Sequence, residues 1–541
     1  MVMIAPLLLF VVPVLQQVGG TWSTAWRFDG TALGDQYGHG LAGIQDLDGD
    51  GASELIVGAP FQDFTLGQEG SVSVYSGGTG AIIYSMVGAV HDATLGYDVA
   101  ALSDLNVDGF QDFAAGALTE PPGGAVYVYS GADASVLWEW HSAEISAEFG
   151  KFVARAGDVD GDAIEDVLVG AGNSDLFFPG GGASFVYSGR TGAQLLILGT
   201  ATAINAGSGD GLGDVNGDGV PDFAISDSYQ GGSVIVFSGL NGSMIYRLFH
   251  VQTNDDFGRS VANVGDLDRD GVNDFVVGAS SVQPIMRSGK AYVYSGAGGS
   301  LLFELEGDAV DHDYFGYDVG SAGDVNGDGY GDVVVGAPNG GVTRQGGLFI
   351  YSGINGRLLS RIVGQSAADF LGWSVASAPD INGDGLSDLL SFAFGGSYTG
   401  SQSGSVFVYE LNSYLTVSPH EVDSSAGGTV TFTLDFPVTE AGERWRLLAS
   451  ADAPGEMARG GTYIPLVDSP AFRRMLMNPP GFFSSTEGVL DANGDAIATA
   501  TLAPGQAAGM VGKMLRFAAL SYGLPQNPRL GSAGVRITIV P

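Results

Sequence analysis

The string DVNGDGYGDVVVGAP, residues 324–338, places Asp or Asn at positions 1, 3, 5 and 9 and then turns apolar. It returns six more times with small changes. The other copies are DLDGDGASE from Asp46, DLNVDGFQD from Asp104, DVDGDAIED from Asp158, DVNGDGVPD from Asp214, DLDRDGVND from Asp266 and DINGDGLSD from Asp380. Successive copies start 58, 54, 56, 52, 58 and 56 residues apart. A fixed period of this size marks an array, a solenoid or a propeller.

The rest of each unit repeats as well. Upstream stands an aromatic residue or Leu followed by Gly: Tyr37-Gly38, Leu95-Gly96, Phe149-Gly150, Phe257-Gly258, Phe315-Gly316 and Leu371-Gly372. The fourth unit places Asn205-Ala206 in that slot. Downstream comes LIVGAP at 55–60, echoed by VVVGAP at 333–338, then a strand-like run such as SVSVYSG or KAYVYSG, then a further short apolar run such as LLFELEG. Each unit thus offers about four short strands and no segment of helical period. Four strands per unit and seven units predict a seven-bladed β-propeller, in which radial packing buries sheet faces that no blade can bury alone. The segment TAWRFDG, 24–30, matches the last strand of other units, and the seventh unit ends at SVFVYE without one. The N-terminal strand is therefore expected to complete blade seven and close the ring.

The acidic string has the chemistry of a hard-cation loop. Six to eight oxygens suit Ca2+, and a carboxylate at every second residue of a tight loop can wrap one ion. The expected side-chain ligands are Asp46, Asp48, Asp50 and Glu54; Asp104, Asn106, Asp108 and Asp112; Asp158, Asp160, Asp162 and Asp166; Asp214, Asn216, Asp218 and Asp222. They continue with Asp266, Asp268, Asp270 and Asp274; Asp324, Asn326, Asp328 and Asp332; Asp380, Asn382, Asp384 and Asp388. The backbone carbonyl at position 7 adds one more oxygen, from Ala52, Phe110, Ile164, Val220, Val272, Tyr330 and Leu386. That gives up to seven Ca2+, one per blade. Absent imidazole and thiolate exclude zinc and copper chemistry at these loops. An EF-hand needs an acid at position 12 and flanking helices; position 12 holds Val57, Ala115, Val169, Ile225, Val277, Val335 and Ser391. Position 6 is Gly in every loop but the third, where Ala163 puts the turn in question.

The aromatic-Gly pair, the DxDGDGxxD loop and the Gly-Ala-Pro that follows resemble FG-GAP repeats, the units of the integrin α-subunit β-propeller. The resemblance covers about residues 24–410. It implies a seven-bladed propeller with calcium in hairpin loops between adjacent strands of a blade, and members of the family act in cell adhesion and ligand binding. Departures occur at Ser226-Asp227-Ser228 and Phe392-Ala393-Phe394, which replace Gly-Ala-Pro in units four and seven.

Composition bounds the function. The chain of 541 residues carries 60 acidic and 21 basic residues, a net charge of −39. Nucleic-acid binding needs a basic footprint and is excluded. There are no cysteines, so disulfides and thiolate chemistry are excluded. The apolar run Ile4–Leu15 has signal-peptide length, with small Val18 and Gly20 before a cleavage point near Thr21, so residues 1–20 are read as an export signal. No other stretch is long and apolar enough to span a membrane. After Glu410 the repeat stops, and residues 411–541 carry 11 acids and 9 bases. This segment is expected to form a small β-sandwich. Within it, VLDANGDAIA at 489–498 reads as a hairpin turn, and Met475, Met477 and PPGFF as an apolar packing loop.

The six histidines, His39, His91, His141, His250, His312 and His420, share no repeat position, and no nucleophile motif accompanies them. The expectation is therefore a non-enzymatic, secreted or surface-located scaffold binding an unknown protein or polysaccharide through one face. Two alternatives remain. One is a lectin-like module, with Trp138, Trp140 and Trp373 as candidate sugar platforms; the other is a hydrolase with its site at the propeller rim.

Overall fold

The computed structural model describes residues 20–540 apart from residue 66, 201–205, 228–231, 250–254, 281–287, 308–312, 383–385 and 396–402, and, nearer the C-terminus, 419–420, 424, 427, 442, 451–456, 460–461, 465, 467–486, 504–513, 524–526 and 532–534. The export segment, His250, His312, His420, Asp384, Asn205 and the Met475 loop lie outside the described residues.

Seven four-stranded antiparallel sheets form the blades of a propeller, and no α-helix occurs among the described residues. Blade one consists of Leu41–Ile44, Glu54–Ala59, Ser71–Tyr75 and Ile82–Val87. Later blades repeat this order outward from the channel. The second and third strands are rich in β-branched residues and buried on both faces, as in ELIVGA and SVSVY. The fourth strand faces water and alternates, with Ile82 and Val87 exposed. The ring closes as expected: Gly20–Asp29 pairs antiparallel with Ser405–Ser413, Gly20 opposite Ser413 and Asp29 opposite Ser405. This makes the N-terminal strand the outer strand of blade seven.

The core lies between blades. Ile56, Val72 and Val74 of blade one pack with Phe113, Ala115 and Tyr129 of blade two. The motif aromatics Phe149, Phe257 and Phe315 are fully buried in equivalent interfaces. The two motif glycines meet across the interface: a Cβ on Gly58 would lie 2.1 Å from the carbonyl oxygen of Gly96, and one on Gly336 2.2 Å from that of Gly372. Backbone thus packs on backbone between blades. Blade four departs from the sequence reading. Ala206 pairs with Asp227 just as Phe257 pairs with Ala279 one blade on, so the slot is filled by Ala206-Gly207, one residue beyond the pair expected. In the seventh, Phe392 replaces the Gly of Gly-Ala-Pro and its ring packs on Gly38.

Aspartates in the channel tie neighbouring blades together. Asp98 of blade two accepts from the Val153 N–H of blade three at 2.9 Å, and Asp210 of blade four from Asn263 N–H of blade five at 2.9 Å. Asp318 of blade six accepts from Val375 N–H of blade seven at 2.8 Å and from the Ser260 hydroxyl at 2.7 Å. Burial, offset by the N–H groups of Val153 and Val99 and reinforced by the charges of Asp318 and Asp210, pushes Asp98 up to about 7. Its folded pKa is above its unfolded one, so its stabilising contribution is present in acid and fades as pH rises from about 4 towards 7. An Asp98→Asn variant keeps an acceptor for Val153 and loses the charge. It should be more stable than the parent at pH 8 by about 1–3 kcal/mol and nearly equal to it at pH 4. Paired melts at the two pH values check this; a constant difference would refute it.

The C-terminal part forms two packed sheets. One holds Leu415–Ser418, Gly428–Asp435 and Asp495–Leu502; the other is built around Arg444–Ser450, Met514–Gly523 and Val535–Val540. Phe432, Leu434 and Ala498 of the first pack against Trp445, Leu447 and Phe517 of the second. The turn in VLDANGDAIA is not a hairpin. It joins Glu487–Val489 in one sheet to Asp495–Leu502 in the other, so it is a corner between sheets, with Asn493 and Asp495 N–H groups donating to Asp491 Oδ1.

Candidate metal centres

All seven acidic strings join the first and second strands of a blade, at one end of the channel. Loops one to six each organise themselves around their first carboxylate. In loop one, Gly49 N–H donates to Asp46 Oδ1 at 2.7 Å and Gly51 N–H to Asp46 Oδ2 at 2.9 Å. Asp50 N–H then donates to Asp48 Oδ1, and Ala52 N–H to Asp50 Oδ1. Two left-handed residues bend the chain, at positions 4 and 6: Gly49 and Gly51 with φ of 80° and 91°. The sequence reading identified only the second. Val107 and Arg269 adopt the position-4 bend without being glycine. Ala163 takes the position-6 bend at φ 68° and donates to Asp158 Oδ2 at 2.9 Å, so the turn of loop three is kept.

Position 9 begins the second strand, or in blade two immediately precedes it, and is buried in every blade. Its carboxylate joins three backbone segments. Asp112, for example, accepts from Leu105 N–H at 2.8 Å and from Gly131 N–H of the turn after the third strand at 3.0 Å. The same pair of bonds recurs at Asp166, Asp222, Asp274 and Asp332. Position 9 is therefore a structural clasp as well as a candidate ligand, a role the sequence did not reveal. Blade one differs. The longer Glu54 takes Leu47 N–H on Oε2 at 3.0 Å, while its buried Oε1 has no hydrogen-bond partner. Burial pushes Glu54 up to about 8, opposed by the N–H groups of Leu47 and Asp48 and assisted by the charges of Asp48 and Asp46. Burial likewise raises Asp112, Asp166, Asp222 and Asp274 to about 6.

The predicted ligands converge to different degrees. Carboxylate oxygens of Asp46, Asp48, Asp50 and Glu54 lie within 4.8 Å of one another, as do those of Asp158, Asp160 and Asp166, and of Asp266, Asp268 and Asp274. Asp162 is absent from the second group, and Arg190 holds its Oδ2 at 3.0 Å. Loops two, four, six and seven carry Asn at position 3, and no group of three carboxylates forms there among the described residues. These donor sets are entirely oxygen, and in loop one a buried, unpartnered oxygen lies among them. Both features fit a hard cation such as Ca2+.

Loop six is set apart by its surroundings. Asn326 and Asp328 are buried, whereas Asp48 and Asp50 of loop one are exposed. The C-terminal sandwich covers it: the buried Arg516 donates from Nη1 to Gly327 O at 3.3 Å. Arg269 of loop five donates to Gly329 O and lies 4.0 Å over the Tyr330 ring.

The other candidates fall elsewhere. Trp138 and Trp140 are interblade struts, donating to Gly189 O at 2.7 Å and Gly192 O at 2.9 Å. Trp373 lines the channel mouth at the end opposite the acidic loops. His39 lines the same mouth, with Nδ1 2.6 Å from Tyr97 O. His91 pairs with Asp92 on an exposed loop, and His141 with Glu139.

The family described as FG-GAP repeat matches residues 37–75, 315–351 and 371–409, in blades one, six and seven. Curated relatives include integrin alpha-4 of Xenopus laevis, 35% identical over 27% of this chain and 15% of its own. Integrin alpha-V of Gallus gallus is 31% identical over 39% of this chain and 22% of its own. Integrin alpha-5 of Xenopus laevis is 27% identical over the same two shares. The match therefore spans less than a quarter of these relatives' length. Among solved structures, BBS1N in complex with ARL6DN is similar with a TM-score of 0.47 and 10% identity, over 73% of this chain and 98% of that one.

Proposed function

We propose that this integrin-α-like FG-GAP propeller is an exported, calcium-stabilised scaffold that binds a ligand at one face of its ring. The observation that carries the calcium reading is loop one. Four carboxylates, that of Glu54 included, each bring an oxygen within 4.8 Å of the others, and the buried Oε1 of Glu54 has no hydrogen-bond partner. Asp46, Asp48, Asp50 and Glu54 would hold the ion there, and the equivalent residues would hold it in the other six loops. Ca2+ would supply charge neutralisation to the carboxylates of each loop, a structural role. Weak loops of this kind fill at millimolar calcium, which supports an extracellular or periplasmic setting. The integrin relatives support a binding rather than a catalytic role.

Equilibrium dialysis against millimolar calcium tests the reading. The expected stoichiometry is several ions per chain, up to seven. No bound calcium at millimolar concentration would overturn it. Loop six adds a kinetic expectation. Its ion would leave only when the sandwich lifts away from Gly327, so a chelator should release one ion at least about tenfold more slowly than the rest. Arg516→Ala should abolish that lag. Uniform release from the parent protein would show that the sandwich does not seal the loop.

The lectin-like reading is favoured by a separate observation, the placement of Trp373 in the channel mouth.

A further inference from the structure

The residue after the motif glycine comes to the channel mouth in every blade. In blade order these residues are His39, Tyr97, Lys151, Ser208, Arg259, Tyr317 and Trp373. They line a cavity of about 520 Å3 that continues into the channel. Their chemistry divides the mouth in two. Blades six, seven, one and two contribute rings, and blades three, four and five contribute an ammonium, a hydroxyl and a guanidinium.

The aromatic arc is continuous on each side of the ring closure. Tyr317 and Trp373 have centroids 4.6 Å apart, and Trp373 stacks on Phe394 at 4.6 Å. His39 and Tyr97 lie 4.4 Å apart. At the end of this arc Arg259 lies 4.2 Å over the Tyr317 ring, and in blade three Lys151 pairs with Glu148 at 2.8 Å. The acids of the floor, Asp98 and Asp318, accept from backbone N–H groups and Ser260 of the neighbouring blades. Both also line the cavity, and burial raises both carboxyls, which lessens the negative charge they set against the cationic arc. Among the described residues, the sandwich meets the propeller at loop six, on the opposite end.

We propose that the mouth binds a pyranose ring bearing a carboxylate, a uronate-type sugar. The inference rests on the scaffold reading above and names its ligand class. The sugar's C–H face packs on the apolar aromatic arc, and its carboxylate meets Arg259 and Lys151, with Arg259 able to bind it in bidentate fashion. Gln36 and the Nε2 of His39 serve the ring hydroxyls. The cavity volume accommodates a short saccharide at the usual scale of ligand pockets.

The test is calorimetric titration of the full chain, at constant millimolar calcium, with galacturonate, trigalacturonate and a neutral trigalactoside. A uronate should bind, and the neutral trisaccharide should bind at least tenfold more weakly. Galacturonate alone binding as tightly as the trimer identifies a free sugar acid; a much tighter trimer identifies a glycan end. Lys151→Gln and Arg259→Gln should each weaken uronate binding tenfold or more while leaving calcium-dependent melting unchanged. Equal binding of the neutral sugar, or unaltered binding by the double variant, overturns the proposal. So does absence of uronate binding by a protein that calcium still stabilises, an outcome that leaves the scaffold reading intact.

Discussion

Chelation of calcium at pH 7.5 should lower the melting temperature by about 15 °C or more, and re-addition of calcium should restore it. The argument starts from charge. By the loop assignments, 24 of the 60 acidic residues sit at side-chain ligand positions. Two carboxylates about 4 Å apart repel by roughly 4 kcal/mol at an effective dielectric of about 20. Loop hydrogen bonds such as Gly51 N–H to Asp46 relieve part of this, and Glu54, pushed up to about 8 by burial, relieves more by staying largely neutral at this pH. A divalent ion removes the repulsion outright. An ion present at about a hundredfold its dissociation constant stabilises by about 2.7 kcal/mol per site. Several such sites together rival the whole net stability of an ordinary domain. The chain has no disulfides to compensate. Calorimetry with and without chelator measures the effect. A melting temperature unchanged by chelator would mean that the acidic loops are held by their own backbone amides alone. Magnesium should restore less than calcium, because its smaller octahedral shell suits a seven-oxygen loop poorly.

Much of this architecture was legible because its signals are local and repeated. The 52–58-residue period, the alternation of strand and turn, and the unmatched first strand led directly to a closed ring of seven blades. The acidic loops, as repeated strand-to-strand turns, were legible for the same reason. What stayed hidden depends on contacts between units. Position 9 looked like a ligand alone, because its second bond, Asp112 to Gly131, crosses to a turn whose sequence is merely Ser-Gly. The Ala206-Gly207 register was missed because no aromatic marks it. The mouth was missed because its seven residues share a position and no residue type; only the ring brings Lys151 and Arg259 to one cavity and Tyr317 beside Trp373. The seal on loop six joins Arg516 to Gly327 across 189 residues, and no sequence pattern announces it.

The glycine pair that links blades gives the largest effect expected of a single substitution. Gly58 has no left-handed φ, so its need for glycine is purely one of space. A Cβ there would lie 2.1 Å from Gly96 O and 3.0 Å from Gly96 Cα, and both are backbone atoms of the next blade. Neither can swing aside as a side chain would. Gly96 cannot retreat either, since it sits at φ 88° with the Ser71 carbonyl and Gly58 against it. Gly58→Ala should therefore cost about 2–4 kcal/mol, and Gly58→Val more, because overpacking here pushes whole blades apart. The same holds at Gly116, Gly278 and Gly336, each of which would place a Cβ 2.1–2.2 Å from a glycine carbonyl in the next blade. The interface after blade four shows what relief looks like. Ser226 stands in the glycine slot, and a Cβ on Gly258 opposite it would approach the Ser226 Cβ only to 3.5 Å. Gly298, on an exposed turn with nothing within 4 Å of its Cβ position, is the control, and Gly298→Ala should stay within about 0.5 kcal/mol of the parent. Denaturant titration of the three variants in saturating calcium decides the matter. If Gly58→Ala and Gly298→Ala were equally mild, the blades would have slack between them, and the repeated glycines would owe their place to strand geometry rather than to the interface.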